Sequence, residues 1–121
     1  YVVWERFLVK YAGQFLGFSY DVALGGRDMD FPGLNEAERL GWRYNTALKV
    51  DAVGFTATQA WIIEVRPDAY VSTLGSVLCY TMVAEREGAF LQTLLPVVVC
   101  ETIQPDVNWC CQQLGVHVLR V

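Results

Sequence analysis

Two short stretches, Lys49-Val50-Asp51-Ala52-Val53-Gly54-Phe55 and Trp61-Ile62-Ile63-Glu64-Val65-Arg66-Pro67, set charged side chains into otherwise apolar, strand-forming sequence. Side chains alternate across a strand, so Glu64 and Arg66 share one face, as do Lys49, Asp51, Val53 and Phe55 on the neighbouring strand. A hairpin turning symmetrically about Ala57-Thr58 puts Asp51 opposite Glu64 and Lys49 opposite Arg66. Two carboxylates facing each other, with Cβ atoms about 4.5–5.5 Å apart, repel unless a cation lies between them. Hard oxygen ligands suit Mg²⁺ or Mn²⁺, which can hold a phosphate oxygen and activate a water in phosphodiester hydrolysis. Asp51 and Glu64 are the candidate metal ligands, and Arg66 or Lys49 the candidate cation that steadies the developing charge. The competing reading is a salt-linked, solvated strand face of little energetic consequence. A one-residue slip of register would also send Asp51 and Glu64 to opposite faces.

The rest of the chain supplies elements able to hold such a strand pair. Val3, Phe7, Tyr11 and Phe15 recur at helical spacing within Tyr1 to Phe15, with Trp4, Leu8 and Ala12 beside them. Phe18 to Leu24 alternates as a strand that Gly25-Gly26 stops, and Arg27 to Arg43 reads as a loop through Asp28, Asp30, Pro32 and Gly33. Asn35 can cap a short helical piece through Glu36, Ala37, Glu38 and Leu40. Strands are expected over Tyr44 to Thr56 and Ala60 to Arg66, with Pro67 ending the second. A helix from about Tyr70 to Glu87 stops at Gly88, and the continuous apolar run Leu95 to Cys100 reads as an internal strand. Pro105 and Asp106 open a helix that Gly115 closes, and Val116 to Val121 alternates as a final strand. The last strand, helix and strand favour a parallel crossover. The expectation is one α/β domain over residues 1–121, a central mixed β-sheet flanked by helices on both sides.

An aspartate in one strand, an E-x-K-like tripeptide in the next, then helix, strand, helix and strand resembles the PD-(D/E)XK nuclease superfamily, whose core is restriction-endonuclease-like. Asp51 matches the family aspartate, Glu64-Val65-Arg66 the tripeptide, and Pro67 follows as it often does. The resemblance implies a metal-dependent nuclease acting on DNA. Two departures bear on activity. The family lysine is Arg66, permanently charged, planar and not interchangeable with lysine in placing a water or giving a proton. Where many relatives carry a glutamine one turn before an aromatic residue in the following helix, this chain has Ser76 and Tyr80. Lys49 is either a relocated lysine, a variation the superfamily shows, or a solvent-facing strand residue. Glu5 and Asp21 are either accessory acids of a metal site or structural.

Bulk properties narrow the partners. Of 121 residues 54% are hydrophobic and only 18% charged, and mean hydropathy is +0.28, against about 25% charged in an ordinary domain. Some apolar surface is therefore expected to meet other protein subunits. Every long apolar run is interrupted, as by Glu101 after Pro96 to Cys100, so no membrane span is expected. Glu5, Arg6, Lys10 and Gln14 break the first apolar stretch, unlike a secretory signal. The expected location is cytoplasmic or virion-associated. A net charge of −4 opposes free-standing nucleic-acid binding, so contact with DNA must be local or shared with other subunits. Cys79, Cys100, Cys110 and Cys111 form no C-x-x-C pair and read as buried free thiols rather than, with His117, a zinc site.

A regulatory or toxin-neutralising binding module on the same scaffold is a third possibility that nothing in the sequence selects, and two functions carry more. One is metal-dependent cleavage of DNA by Asp51 and Glu64 with Arg66 or Lys49 assisting. The other is a catalytically inactive structural component, similar to the nuclease-like head-completion or neck proteins of tailed phages. The arginine, the acidic balance and the apolar surplus favour the second.

Overall fold

The computed structural model describes residues 1–26 and 32–121. Among these, α1 (Val2–Tyr11) runs through a short 3₁₀ turn (Ala12–Gln14) into β1 (Gly17–Leu24), then α2 (Glu36–Thr46), β2 (Leu48–Phe55) and β3 (Gln59–Ala69). There follow α3 (Val71–Glu87), β4 (Thr93–Ile103), α4 (Pro105–Gln113) and β5 (His117–Arg120). The five strands form one sheet in chain order. β1, β2 and β3 pair antiparallel, while β4 and β5 join parallel to β3 through the α3 and α4 crossovers. This is an α/β protein with a mixed, open sheet.

Helices cover both faces. Val3 and Phe7 of α1 bury against Ala52, Ile63, Val97 and Val99. On the other face Leu74 and Val77 of α3 meet Val98, Cys100, Val107 and Cys111, and Ala84 meets Val50, Val53 and Ile62. The continuous apolar run in β4 follows from this, since Val97, Val98, Val99 and Cys100 are all buried from both sides. Over α1 lies an aromatic cluster in which the Phe15 ring lies 4.8 Å from those of Phe18, tilted, and Trp61, edge to face. Gly54 floors it, because a Cβ there would come within 2.7 Å of the Phe15 ring.

Element boundaries moved where long-range contacts outweighed local signals. Asn35 does cap a helix, its side chain accepting from the Glu38 amide at 2.8 Å, but α2 runs on to Thr46, so residues expected at the start of a strand are helical. Thr46 closes it by bonding back to the Trp42 and Arg43 carbonyls. Pro67 does not end β3: the strand continues to Ala69 because β4 pairs with it through Asp68↔Thr102 and Ala69↔Ile103. The β2 ladder stops at Ile63, so the missing proline N–H breaks no bond on that side. A side-chain hydrogen bond from Thr102 to Asp68 fastens the extension. Asp28 and Asp30, read as loop residues, lie outside the described residues.

Cys79, Cys100, Cys110 and Cys111 are free thiols; Cys100 and Cys111 are buried, whereas Cys79 is exposed, against expectation. Burial pushes the Cys100 and Cys111 thiols up, away from thiolate. No described helix is long and apolar enough to cross a membrane. Replacing Gly54 with valine should force the Phe15 ring out of place and destabilise the protein by about 1–3 kcal/mol, read as a lowered urea midpoint with unchanged slope.

Candidate metal site at the parting of two strands

The hairpin has the register that symmetry about Ala57-Thr58 requires: Ala52 pairs with Ile63, Val53 with Ile62 and Phe55 with Ala60. One step further, at Asp51, the strands part. Asp51 does not pair through its backbone; its Oδ2 accepts the Val65 amide at 3.0 Å instead. The β1 side is interrupted at the same level. Tyr20↔Ala52 and Val22↔Val50 are ladder partners, whereas Asp21, between them, has a φ of 50°. Such a backbone is uncommon for a residue other than glycine, though aspartate tolerates it better than most. The gap opens as a cleft of about 310 Å³ lined by Tyr1, Val3 and Trp4 of the α1 region and by Asp21, Asp51, Val65 and Arg66.

Glu64 is fully buried, with 0% of its side chain exposed. Among the described residues no donor reaches either of its oxygens, so as a carboxylate it is unsatisfied; only as an acid, donating its own O–H, does it bond to Asp51. Arg66 Nη1 lies 3.1 Å from Oε1, yet Nη1 also lies 2.9 Å from Asp51 Oδ2 and 2.7 Å from the Val65 carbonyl. A terminal guanidinium nitrogen carries two hydrogens, and these two hydrogen bonds use both. Glu64 therefore competes for hydrogens already directed elsewhere, while the charge of Arg66 stands 3.1 Å from its Oε1. Burial first, then the hydrogen bond and charge of Asp51, push its carboxyl up to about 8. Burial also acts to raise Asp51, but the Glu64 proton, the Val65 amide and Arg66 outweigh it and hold that carboxyl below its usual value. At neutral pH the pair carries one proton, held on Glu64.

Of the other residues singled out by sequence, Tyr80 of α3 lies within electrostatic reach: burial and then the Glu64 charge raise its phenol, while a hydrogen bond with Ser76 opposes them. Asp21 reaches the cleft, but Glu5 is not among its lining residues. Lys49 is directed elsewhere. Its Nζ donates to the Tyr44 carbonyl at 3.3 Å and lies 4.5 Å from the centre of that ring. Missed by sequence reasoning were both backbone groups of Val65, which no residue type announces, and the wall formed by Tyr1 and Trp4. Trp4 had a signal, its place on the apolar face of the first helix.

Among the described residues no three His, Cys, Asp or Glu side chains gather as a metal cluster, and His117 has no thiol site. Two carboxylates and a carbonyl nonetheless suit a hard cation, since Mg²⁺ commonly takes one or two carboxylates and keeps waters for its remaining positions. The orphaned oxygens of Glu64 are the observation that makes this donor set fit.

No protein-family model matches the chain, and no curated protein matches it. A crystal structure described as a protein of unknown function, AF1548, is similar with a TM-score of 0.60 over 96% of this chain at 11% identity. The chain spans 54% of that protein's length. The likeness is one of fold.

Because folding raises the Glu64 carboxyl, the folded protein binds a proton the unfolded chain has lost between about pH 4.5 and about pH 8. Metal-free stability should be greatest at the low end of that window, fall as pH rises through it, and level off above. In Glu64→Gln this fall should vanish, as urea unfolding at pH 5, 7 and 9 would show. The Asp51 contribution has the opposite sign and is lost only as pH falls below the ordinary aspartate value of 3.8.

Proposed function

We propose that this chain is a PD-(D/E)XK-like domain, with a restriction-endonuclease-like core, that works on or around DNA through a divalent cation held by Asp51 and Glu64. One observation carries the reading: Asp51, the buried Glu64 carboxyl and the Val65 carbonyl converge within 3.1 Å of a single positively charged nitrogen. Such convergence makes a cation position, and the order of elements around it supports the family resemblance.

Bound there, Mg²⁺ or Mn²⁺ would supply Lewis acidity toward a phosphate oxygen and a more acidic water. The chain does the rest. Asp51 is the more accessible ligand, tethered by the Val65 amide so that its carboxylate keeps its direction. Glu64 must lose its proton before it ligates, and its burial keeps water from competing for its oxygens. Arg66 can stabilise charge on the phosphate oxygens but cannot exchange a proton, so the water is left without the help a lysine would give. Hydrolysis should therefore be slow or lost. Lys49 is occupied at Tyr44 and does not replace the family lysine in this conformation.

The second reading, a nuclease-like structural component of a phage particle resembling head-completion or neck proteins, is favoured by a specific feature. Arg66 already sets a positive charge beside both side chains without a metal. Exposed Val9, Leu16, Trp109 and Leu114 would in that case meet neighbouring subunits.

Calorimetric titration with Mg²⁺ and Mn²⁺, followed by addition of duplex and single-stranded DNA, separates the two. A working site predicts binding that Asp51→Asn and Glu64→Gln each abolish, together with cleavage by the unaltered chain. Absence of binding at millimolar metal would leave the fold as a scaffold.

A further inference from the structure

The position of Arg66 has a consequence beyond the loss of a lysine. Its Nη1 has three oxygens around it, Val65 O at 2.7 Å, Asp51 Oδ2 at 2.9 Å and Glu64 Oε1 at 3.1 Å. Two carboxylates and a peptide carbonyl are donor types that suit a hard divalent ion. A bound ion and this nitrogen cannot share the place. We infer that the Arg66 guanidinium is the resident cation of the site, and that a divalent ion enters only as Arg66 withdraws from Asp51, Glu64 and the Val65 carbonyl.

The inference rests on the Asp51 and Glu64 site proposed above and states what governs its occupancy. Three features support it. First, both Nη1 hydrogens are used by Asp51 and the Val65 carbonyl, so Arg66 does not tie down Glu64; once Glu64 gives up its proton, its buried oxygens are open to a better ligand. Second, Arg66 can leave. Its side chain is 44% exposed at the mouth of the cleft, so withdrawal returns the guanidinium to water rather than burying an unpaired charge. Third, the two cations set different sizes. Oxygens held near 3 Å from nitrogen must close to about 2.0–2.1 Å around Mg²⁺, which the parted strands permit at Asp51, where its side chain rather than its backbone meets β3. Once displaced, the guanidinium remains at the cleft mouth, where a phosphate oxygen bound by the metal would be its natural new partner. Arg66 is in this sense a positioning and gating residue, and the lysine to arginine difference acts on metal occupancy before it acts on proton transfer.

The test compares Mn²⁺ affinity, by calorimetry on the full chain at one fixed pH, among the unaltered protein, Arg66→Lys and Arg66→Met. Removing a competing charge should tighten binding by about tenfold or more in Arg66→Met, a difference of about 1.4 kcal/mol. Arg66→Lys should fall between, since an ammonium on a flexible stem is more readily hydrated and moved aside. Thermal melting of each variant in the same buffer separates a metal effect from a folding effect. The unaltered protein gives an independent readout that needs no variant: the Arg66 Nε–H resonance should move on saturating with Mg²⁺. Binding by Arg66→Met with none by the unaltered chain would confirm the inference while refuting metal use by the natural sequence. Equal affinity in all three proteins, with a stationary Arg66 resonance, would overturn the inference and leave the metal site standing. Absence of binding in every protein would overturn both.

Discussion

A glutamate with both oxygens buried in a sheet needs either a proton or a cation, and the region around Glu64 is arranged by that need. Its carboxyl is fully buried, within electrostatic reach of Tyr80 on α3, where desolvation of a charge is severe. Asp51 and Arg66 come to it from two strands and offer both remedies. Asp51 favours retention of a proton on Glu64, and Arg66 offers a positive charge. Neither satisfies both oxygens: the proton facing Asp51 serves one, and among the described residues no donor reaches them. A buried polar group left in this state is a departure that packing alone does not explain, and such departures gather at functional sites.

The departure is tolerated because the surrounding strands are paired and buried. Buried β4 valines support β3 from one side along most of its length, while the short β2 ladder supports it only as far as Ile63. The asymmetry creates the opening. Where β2 leaves β3, a side-chain carboxylate replaces the backbone acceptor that the Val65 amide would otherwise lack. The same replacement fixes Asp51 beside Glu64. The left-handed backbone at Asp21 sits at the same level of the sheet, so the interruption passes through both sides of β2. What looks like a defect in two ladders is a single feature, the floor of a cleft walled by α1.

Arginine in the third position of the tripeptide changes the character of this site more than its charge would suggest. A lysine presents one compact ammonium; a guanidinium spreads five donors over a plane and can satisfy several oxygens together. Here one of its nitrogens serves a carboxylate and a carbonyl while lying against a second carboxylate. The result is a site that already holds a positive charge without a metal, which both the enzymatic and the structural reading of this chain must accommodate.

Much of the architecture was legible in the sequence, and the reasons are local. Apolar periodicity distinguished helices from strands, Gly88 and Gly115 marked helix ends through the positive φ that each adopts, and the uninterrupted apolar run of β4 announced two covered faces. The hairpin register followed from its short turn and alternation, which is why Asp51 and Glu64 could be set opposite each other before any coordinates. Local rules failed where distant partners decide. Pro67 reads as a terminator, yet β4 carries the strand past it; Tyr44 reads as a strand residue, yet it belongs to α2 and holds Lys49 away from the acids. The sequence by itself determined which charged residues stand on adjoining strands, because a two-residue period and a tight turn leave little choice. Only the tertiary structure decided that Glu64 is wholly desolvated and that a nitrogen of Arg66 takes the cation position, because burial and charge compensation are set by α3, β4 and a peptide carbonyl, none of which is encoded in the tripeptide itself.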